Sequence, residues 1–161
     1  MTTTVQLRAM RWWDLEAVMV IEADRFGPTA WSLGQFWSEL ARVGESRCYL
    51  VAERQGEIVG YAGLYAMPPD ADVQTIAVAS HAEGAGIGSR LLGALIDQAR
   101  MQDCAQLFLE VAAGNESALA LYARHGFERQ ALRRGYYGPG MDAILMRCRL
   151  RQGREEGDHG S

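Results

Sequence analysis

The sequence predicts a single domain of the α/β (α+β) class, on three observations. The chain has 161 residues and 48% apolar content, enough to build one core. Two strand-like runs, Cys48 to Glu53 and Ile58 to Ala66, flank Arg54-Gln-Gly-Glu57, whose Gln-Gly pair suits a tight hairpin turn. Beyond Pro69, apolar runs of strand length alternate with segments of helical period.

Taken in order, Val5 to Met10 reads as the first strand. Asp14 can cap a helix to about Arg25, with Leu15, Val18, Met19 and Glu22 at helical spacing. Phe26-Gly-Pro-Thr-Ala-Trp31 breaks that helix, and Ser32 is placed to cap a second one through Phe36, Trp37 and Leu40. After the hairpin, Asp72 to Val78 reads as a strand, Ala79 to Ala85 as a loop, and Gly86 to Gln102 as a helix. Its apolar stripe is Leu91, Leu92, Leu95, Ile96 and Ala99. Ala105 to Val111 is a short strand, Asn115 to Arg124 a helix stopped at Gly126, and Asp142 to Leu150 the last strand. The domain is therefore expected over residues 1–150. Residues 151–161 are polar, glycine-rich and mixed in charge, the composition of a disordered tail.

The formal charge of −4 argues against a general nucleic-acid binder, which exploits counterion release through a basic face. No apolar run approaches bilayer length, and MTTTVQLRAMRWWD lacks the apolar core of a secretory signal, so a cytoplasmic chain with no membrane partner is expected. Cys48, Cys104 and Cys148 are odd in number and far apart, which reads as reduced packing thiols. They and His81, His125 and His159 lack metal-ligand spacing, so no metal is expected.

Three segments can carry chemistry. Thr75-Ile-Ala-Val78 feeds Glu83-Gly-Ala-Gly-Ile-Gly-Ser89, a strand running into a glycine-rich loop that opens a helix. Such a loop presents backbone N–H groups at the positive end of a helix dipole, with no side chains to bar a diphosphate. Glycines there can equally serve only the turn, and the spacing is not that of a dinucleotide fingerprint. Glu110 interrupts Leu107-Phe-Leu-Glu-Val111, an otherwise buried strand, where desolvation would raise a carboxylate toward the range of a general base. An edge position facing water, or pairing with an arginine, is the competing reading. Asn115 and Tyr122 share one helical face, or serve only as a helix cap and a half-buried packing residue. Finally, the aromatics Phe26, Trp31, Tyr136 and Tyr137 fall in segments read as loops, where recognition residues often sit.

Together these segments resemble the GNAT acetyltransferase superfamily, and more closely the RimI-type protein N-terminal acetyltransferases that modify a ribosomal small-subunit protein. The resemblance spans most of residues 5–149. It rests on the loop through Gly86-Ile-Gly-Ser89, Leu109-Glu-Val111 with Asn115, Ala120-Leu-Tyr-Ala-Arg-His-Gly-Phe127, and Arg133-Arg-Gly-Tyr-Tyr137 followed by Asp142-Ala143. It implies a mixed, mostly antiparallel central sheet flanked by about four helices, with acetyl-CoA as co-substrate and a protein N-terminal peptide as acceptor. It further implies Glu110 as general base and Tyr122 as the acid that protonates the CoA thiolate. Ile76, Ala77 and Val78 would line the acetyl and pantetheine arm, Gly84, Ala85, Gly86, Ile87, Gly88 and Ser89 would cradle the diphosphate, and Asn115 would touch CoA. The Trp31-Ser32 and Tyr136-Tyr137 segments would flank the peptide, with Phe26 beside the former. Two positions depart from the family pattern: Glu83 stands where Gln or Arg usually begins the loop, and Ala30 where Pro often precedes Trp-Ser. A small-molecule amine acceptor and a catalytically silent acetyl-CoA-binding module are the alternative readings.

Overall fold

A computed structural model describes residues 4–44 and 46–150. The expected C-terminal tail lies outside the described residues. The strands are β1 (Val5–Ala9), β2 (Arg47–Arg54), β3 (Glu57–Met67), β4 (Asp70–Val78), β5 (Gln106–Ala112), β6 (Phe127–Arg133) and β7 (Ala143–Arg149). The α-helices are α1 (Leu15–Phe26), α2 (Leu33–Leu40), α3 (Ile87–Met101) and α4 (Glu116–Arg124). The seven strands form one sheet in the order β1-β2-β3-β4-β5-β7-β6. Every neighbouring pair is antiparallel except β4 and β5.

Local chemistry accounts for most of these elements. Gln55 and Gly56 both have positive φ, 51° and 76°, which matches the right-handed twist of the β2–β3 hairpin. Ser32 and Gln35 cap α2 reciprocally: Ser32 Oγ accepts from Gln35 N at 3.2 Å, and Gln35 Oε1 accepts from Ser32 N at 2.7 Å. Asp14 does not cap α1 through its side chain. Its carboxylate instead accepts from Arg11 N and both Arg8 Nη atoms, each at 2.8 Å, and so ties the turn before α1 to β1.

Adjacent strand residues point to opposite faces, and Gly60 and Tyr61 of β3 show what each face carries. A Cβ on Gly60 would lie 3.1 Å from Leu91 Cδ1 and 3.3 Å from Ile87 Cγ2, so glycine lets α3 settle on the sheet. Leu91, Leu92 and Leu95 of α3 are fully buried, each contributing roughly 1.5–3 kcal/mol relative to exposure. Tyr61 points the other way, into α1 and α2: its hydroxyl reaches Glu22 and its ring meets Phe36. On that face Gly63 admits the Tyr49 ring, which a Cβ would strike.

Two expectations need correction. Residues 127–133 form an edge strand, β6, that the sequence pattern does not reveal. Only Phe127 in it is buried, so the period-two apolar signal is absent, and a bulge at Gln130 shifts the register. Phe26 lies in the last turn of α1, not in a loop, because the chain leaves the helix only at Gly27, with φ 52°.

Candidate active site

The sheet forks at its parallel pair. β4 and β5 are paired only from Asp70 to Asp72 and from Gln106 to Phe108. β4 then continues on β3 as far as Val78, while β5 continues on β7 as far as Ala112. Alternate backbone groups of residues 74–78 therefore face the gap without a strand to receive them. A bulge at Gln74 falls where the divergence begins, since Gly63 pairs with Thr75 and Leu64 with Val73. Ile76, Ala77 and Val78 lie beyond it, on the strand that walls the fork.

At the C-terminal end of β4 the chain enters the glycine loop. Gly84 and Gly86 have φ of 81° and 75°, and a Cβ on either would meet no atom within 4 Å, so both stand before open space. Gly86 is the N-cap of α3 and supplies no side-chain cap, and the first helical bond runs from Arg90 N to Gly86 O. The N–H groups of Ile87, Gly88 and Ser89 are thus left outward at the positive end of a 15-residue helix. Gly88 serves a different purpose from its neighbours. A Cβ there would lie 3.2 Å from Leu121 Cδ2, so this glycine brings α3 close to α4. Ser89 Oγ is engaged with His125 Nε2 at 2.6 Å. Glu83 is paired with Arg25 of α1 at 2.5 Å, so its charge is answered locally. Asn115 caps α4, its Oδ1 accepting from Ala118 N at 3.2 Å.

On the other arm, Glu110 stands opposite Leu145 of β7. Its side chain is 23% exposed, and Arg133 Nη1 lies 3.4 Å from Oε1, so the carboxylate is partly open and paired with an arginine, as the competing reading had it, and not buried in an apolar strand. A hydrogen bond to this carboxylate, then burial, raises the Tyr136 hydroxyl above its ordinary pKa. Burial and then the charge of Glu110 do the same to Tyr137. The two tyrosine rings meet edge to face at 4.9 Å, and Arg133 lies over Tyr136. Their loop is closed by Gly135 N donating to Asp142 Oδ1 at 2.9 Å and Tyr137 N donating to Met141 O at 3.1 Å. Tyr122 of α4 is 7% exposed and packs on Phe127; burial, then Tyr137, pushes its hydroxyl above the ordinary value. Glu110, Tyr122, Tyr136 and Tyr137 therefore form one neighbourhood.

Trp31 lies on the opposite arm. It packs on Phe36 and walls a cleft of about 250 Å³ with Gln35, Ser38, Glu39 and the bulge residue Gln74. A groove of about 360 Å³ between α4 and β6, bounded by Glu116 and Arg129, holds neither Glu110 nor Tyr122. Thus the Trp31 loop stands over the β4 arm and the Tyr136-Tyr137 loop over the end of the β5 arm.

Comparison with known proteins matches residues 7–127 to the acetyltransferase (GNAT) family. This chain belongs to the GNAT acetyltransferase family. The acetyltransferase is 40% identical over 152 residues to the N-alpha-acetyltransferase RimI of Mycobacterium tuberculosis, covering 91% of this chain and 93% of that protein. Its fold matches the crystal structure of the ribosomal-protein-S18-alanine N-acetyltransferase from Escherichia coli with a TM-score of 0.82 at 30% identity. That match covers 94% of this chain and 97% of the other. A GNAT superfamily phosphinothricin acetyltransferase from Sinorhizobium meliloti, solved in complex with acetyl-CoA, gives a TM-score of 0.79 at 25% identity, covering 94% and 91%.

Two residues of this acetyltransferase's fork escaped the sequence reading as site residues. Arg133, seen only as part of a motif, is the charge partner of Glu110 across 23 positions of chain. Glu22, seen only as a helical position, is 1% exposed and accepts hydrogen bonds at the β4 bulge. Its signal was available: Leu15, Val18 and Glu22 follow the i, i+3, i+7 spacing of one buried stripe, and a carboxylate on such a stripe requires donors around it. No helix among the described residues is long and apolar enough to cross a membrane.

Proposed function

We propose that this acetyltransferase moves the acetyl group of acetyl-CoA to the N-terminal amine of a protein, with a ribosomal small-subunit protein as the acceptor. The observation that carries the reading is the meeting of Glu110, Tyr122, Tyr136 and Tyr137 at the mouth of a forked sheet. Nearly full-length likeness to an N-alpha-acetyltransferase RimI and to a ribosomal-protein-S18-alanine N-acetyltransferase supports it.

The fork fits an extended thioester ending in a diphosphate. The unpaired β4 backbone can bond an amide-bearing arm, while Gly84, Gly86 and the free N–H groups of Ile87, Gly88 and Ser89 suit an anion. Asn115, the N-cap of α4, and Ala85 of the loop are the remaining residues assigned to CoA in this reading. When bound, acetyl-CoA supplies the acyl group as a thioester.

A protein α-amine has a pKa near roughly 8 and is mostly protonated at neutral pH, so it must lose a proton before it can attack. Glu110 takes that proton, directly or through a water, at the open side of its carboxylate. A backbone N–H near Ala77 or Val78 holds the oxygen that gains charge. Tyr122, held above its ordinary pKa by burial, keeps its proton until the sulfur leaves and then donates it. Donation to a thiolate whose conjugate thiol has an ordinary pKa near roughly 8.5 is uphill for so weak an acid, which sets the Tyr122 contribution at the low end of the general-acid range, roughly 10²-fold. Trp31, with Phe26 behind it, and Tyr136 and Tyr137 grip the peptide from the two arms.

The test is to offer acetyl-CoA with a library of N-terminal peptides and read products by mass. Acetylation of peptide α-amines is expected. Much faster acetylation of lysine side chains or of small amines would overturn the reading. Glu83, the departure that raises the silent-module alternative, is paired with Arg25, and steady turnover of acetyl-CoA with any amine excludes that alternative.

A further inference from the structure

We propose that Glu22 is the positioning residue for acceptor binding: its buried carboxylate fixes Trp31 against the β4 bulge and so sets the acceptor-side wall of the fork. This rests on the reading above that the acceptor is a peptide lying between the two loops.

Glu22 sits on the inner face of α1 and is almost wholly inaccessible. An ionised group in that position is strongly unfavourable unless donors surround it. Three donors converge on it from three elements. Tyr61 Oη of β3 donates to Oε1 at 2.7 Å, Thr75 Oγ1 of β4 donates to the same oxygen at 3.4 Å, and the backbone N–H of Trp31 donates to Oε2 at 3.1 Å. Burial pushes the carboxyl above the ordinary carboxylate range, and the hydrogen bonds from Tyr61, Trp31 and Thr75 offset part of that rise.

The contacts close on themselves. The Trp31 ring packs on Phe36 at 5.1 Å, Phe36 packs on Tyr61 at 5.9 Å, and Tyr61 returns to Glu22. Glu22 thus holds the backbone of Trp31 while the aromatic series holds its ring. The loop has few other hydrogen bonds: Ala30 N donates to Gly27 O within it, and Thr29 Oγ1 donates to Phe26 O in the last turn of α1. The link from Trp31 to Thr75 through one carboxylate couples the loop to the strand next to Gln74, and Trp31 and Gln74 line the same cleft. Neither Glu110 nor Tyr122 belongs to this circuit.

The Trp31 N–H can only donate, so its bond needs an acceptor oxygen at position 22. A glutamine there can keep that bond: with its oxygen toward Trp31, its NH2 faces Tyr61 and Thr75, whose hydroxyls can rotate to accept. A leucine keeps much of the bulk but offers no acceptor, so it removes the bond.

The experiment compares Glu22→Leu, Tyr61→Phe and Trp31→Ala in the full chain, with steady-state kinetics in both substrates and thermal unfolding. Glu22→Leu leaves the Trp31 N–H without its acceptor; it should raise the peptide KM about tenfold, the size of one lost hydrogen bond to a charged group, and leave the acetyl-CoA KM within about twofold. Tyr61→Phe deletes a donor to the same carboxylate but leaves the Trp31 bond. It should lower the unfolding temperature with a nearly parental peptide KM, which separates positioning from stability. Trp31→Ala should raise the peptide KM at least as much, and adding Glu22→Leu to it should change little, because both act through the Trp31 ring. A folded Glu22→Leu with parental peptide KM overturns the proposal, as does an equal rise in Tyr61→Phe or full additivity with Trp31→Ala. Should Glu22→Leu fail to fold, a parental peptide KM in Trp31→Ala overturns it. A parent enzyme that acetylates no peptide α-amine refutes the proposed function instead, so the two failures are distinct.

Discussion

Replacing Gly86 and Gly88 separately by alanine separates a cradle for an anion from a turn that merely starts a helix. Gly86 has φ 75°, a conformation that costs an L-residue about 1–2 kcal/mol. Each kcal/mol is worth roughly 2–4 °C in a chain of this size, so Gly86→Ala should lower the melting temperature by roughly 2–8 °C. Its methyl group would enter the open space before the α3 N-terminus, and relief of the strain would turn the free N–H groups aside. Loss of one charge-assisted hydrogen bond then weakens acetyl-CoA binding roughly tenfold or more. Gly88 has an ordinary helical φ, and its methyl would point away from the opening, toward Leu121 Cδ2 at 3.2 Å. The half-buried end of Leu121 can shift by a few tenths of an ångström, and alanine favours the helix, so stability should change by less than about 1 kcal/mol. Affinity for acetyl-CoA should stay within a few-fold. Calorimetric titration with acetyl-CoA and thermal melts measure both quantities. Parental affinity in Gly86→Ala together with a large loss in Gly88→Ala would refute the reasoning, because the ligand would then lie on the α4 side of the loop.

Three further outcomes follow from the same geometry. Glu83→Gln should bind acetyl-CoA as well as the parent or better, since it removes a carboxylate beside the diphosphate cradle and sacrifices only an exposed ion pair worth about 0–1 kcal/mol; titration calorimetry checks this. Tyr137→Ala should raise the peptide KM with less effect on the acetyl-CoA KM, read from kinetics with each substrate varied in turn. Tyr122→Phe should lower kcat by roughly 10²-fold and leave acetyl-CoA affinity nearly intact, which single-turnover kinetics and calorimetry test together.

Much of the frame was legible because it is written locally. The Gln55-Gly56 turn, the Ser32–Gln35 cap and the α3 stripe each depend on residues within a few positions of one another. β6 was not legible, because an edge strand with one buried residue carries no alternating pattern to read. The fork was not legible either: it arises where β4 leaves β5 after Asp72, a tertiary event that no local period records. The site divides in the same way. The glycine loop, Glu110 and Tyr122 stood out as residue types at odds with their surroundings. The Arg133 beside Glu110, the Arg25 beside Glu83 and the donors around Glu22 come from distant elements, so the charge balance at each carboxylate emerged only in three dimensions.

The central claim is that Glu110, at the mouth of the fork, takes the proton from the acceptor amine. The direct test is kcat/KM against pH for the parent and Glu110→Gln, with a peptide bearing one free α-amine. Glu110→Gln should lower kcat/KM by roughly 10²- to 10⁴-fold with acetyl-CoA affinity kept, and its acidic limb should follow the amine's own ionisation, near roughly 8, because solvent must then take the proton. A Glu110→Gln enzyme with the parental rate and an unchanged limb would contradict the account and assign the proton to solvent.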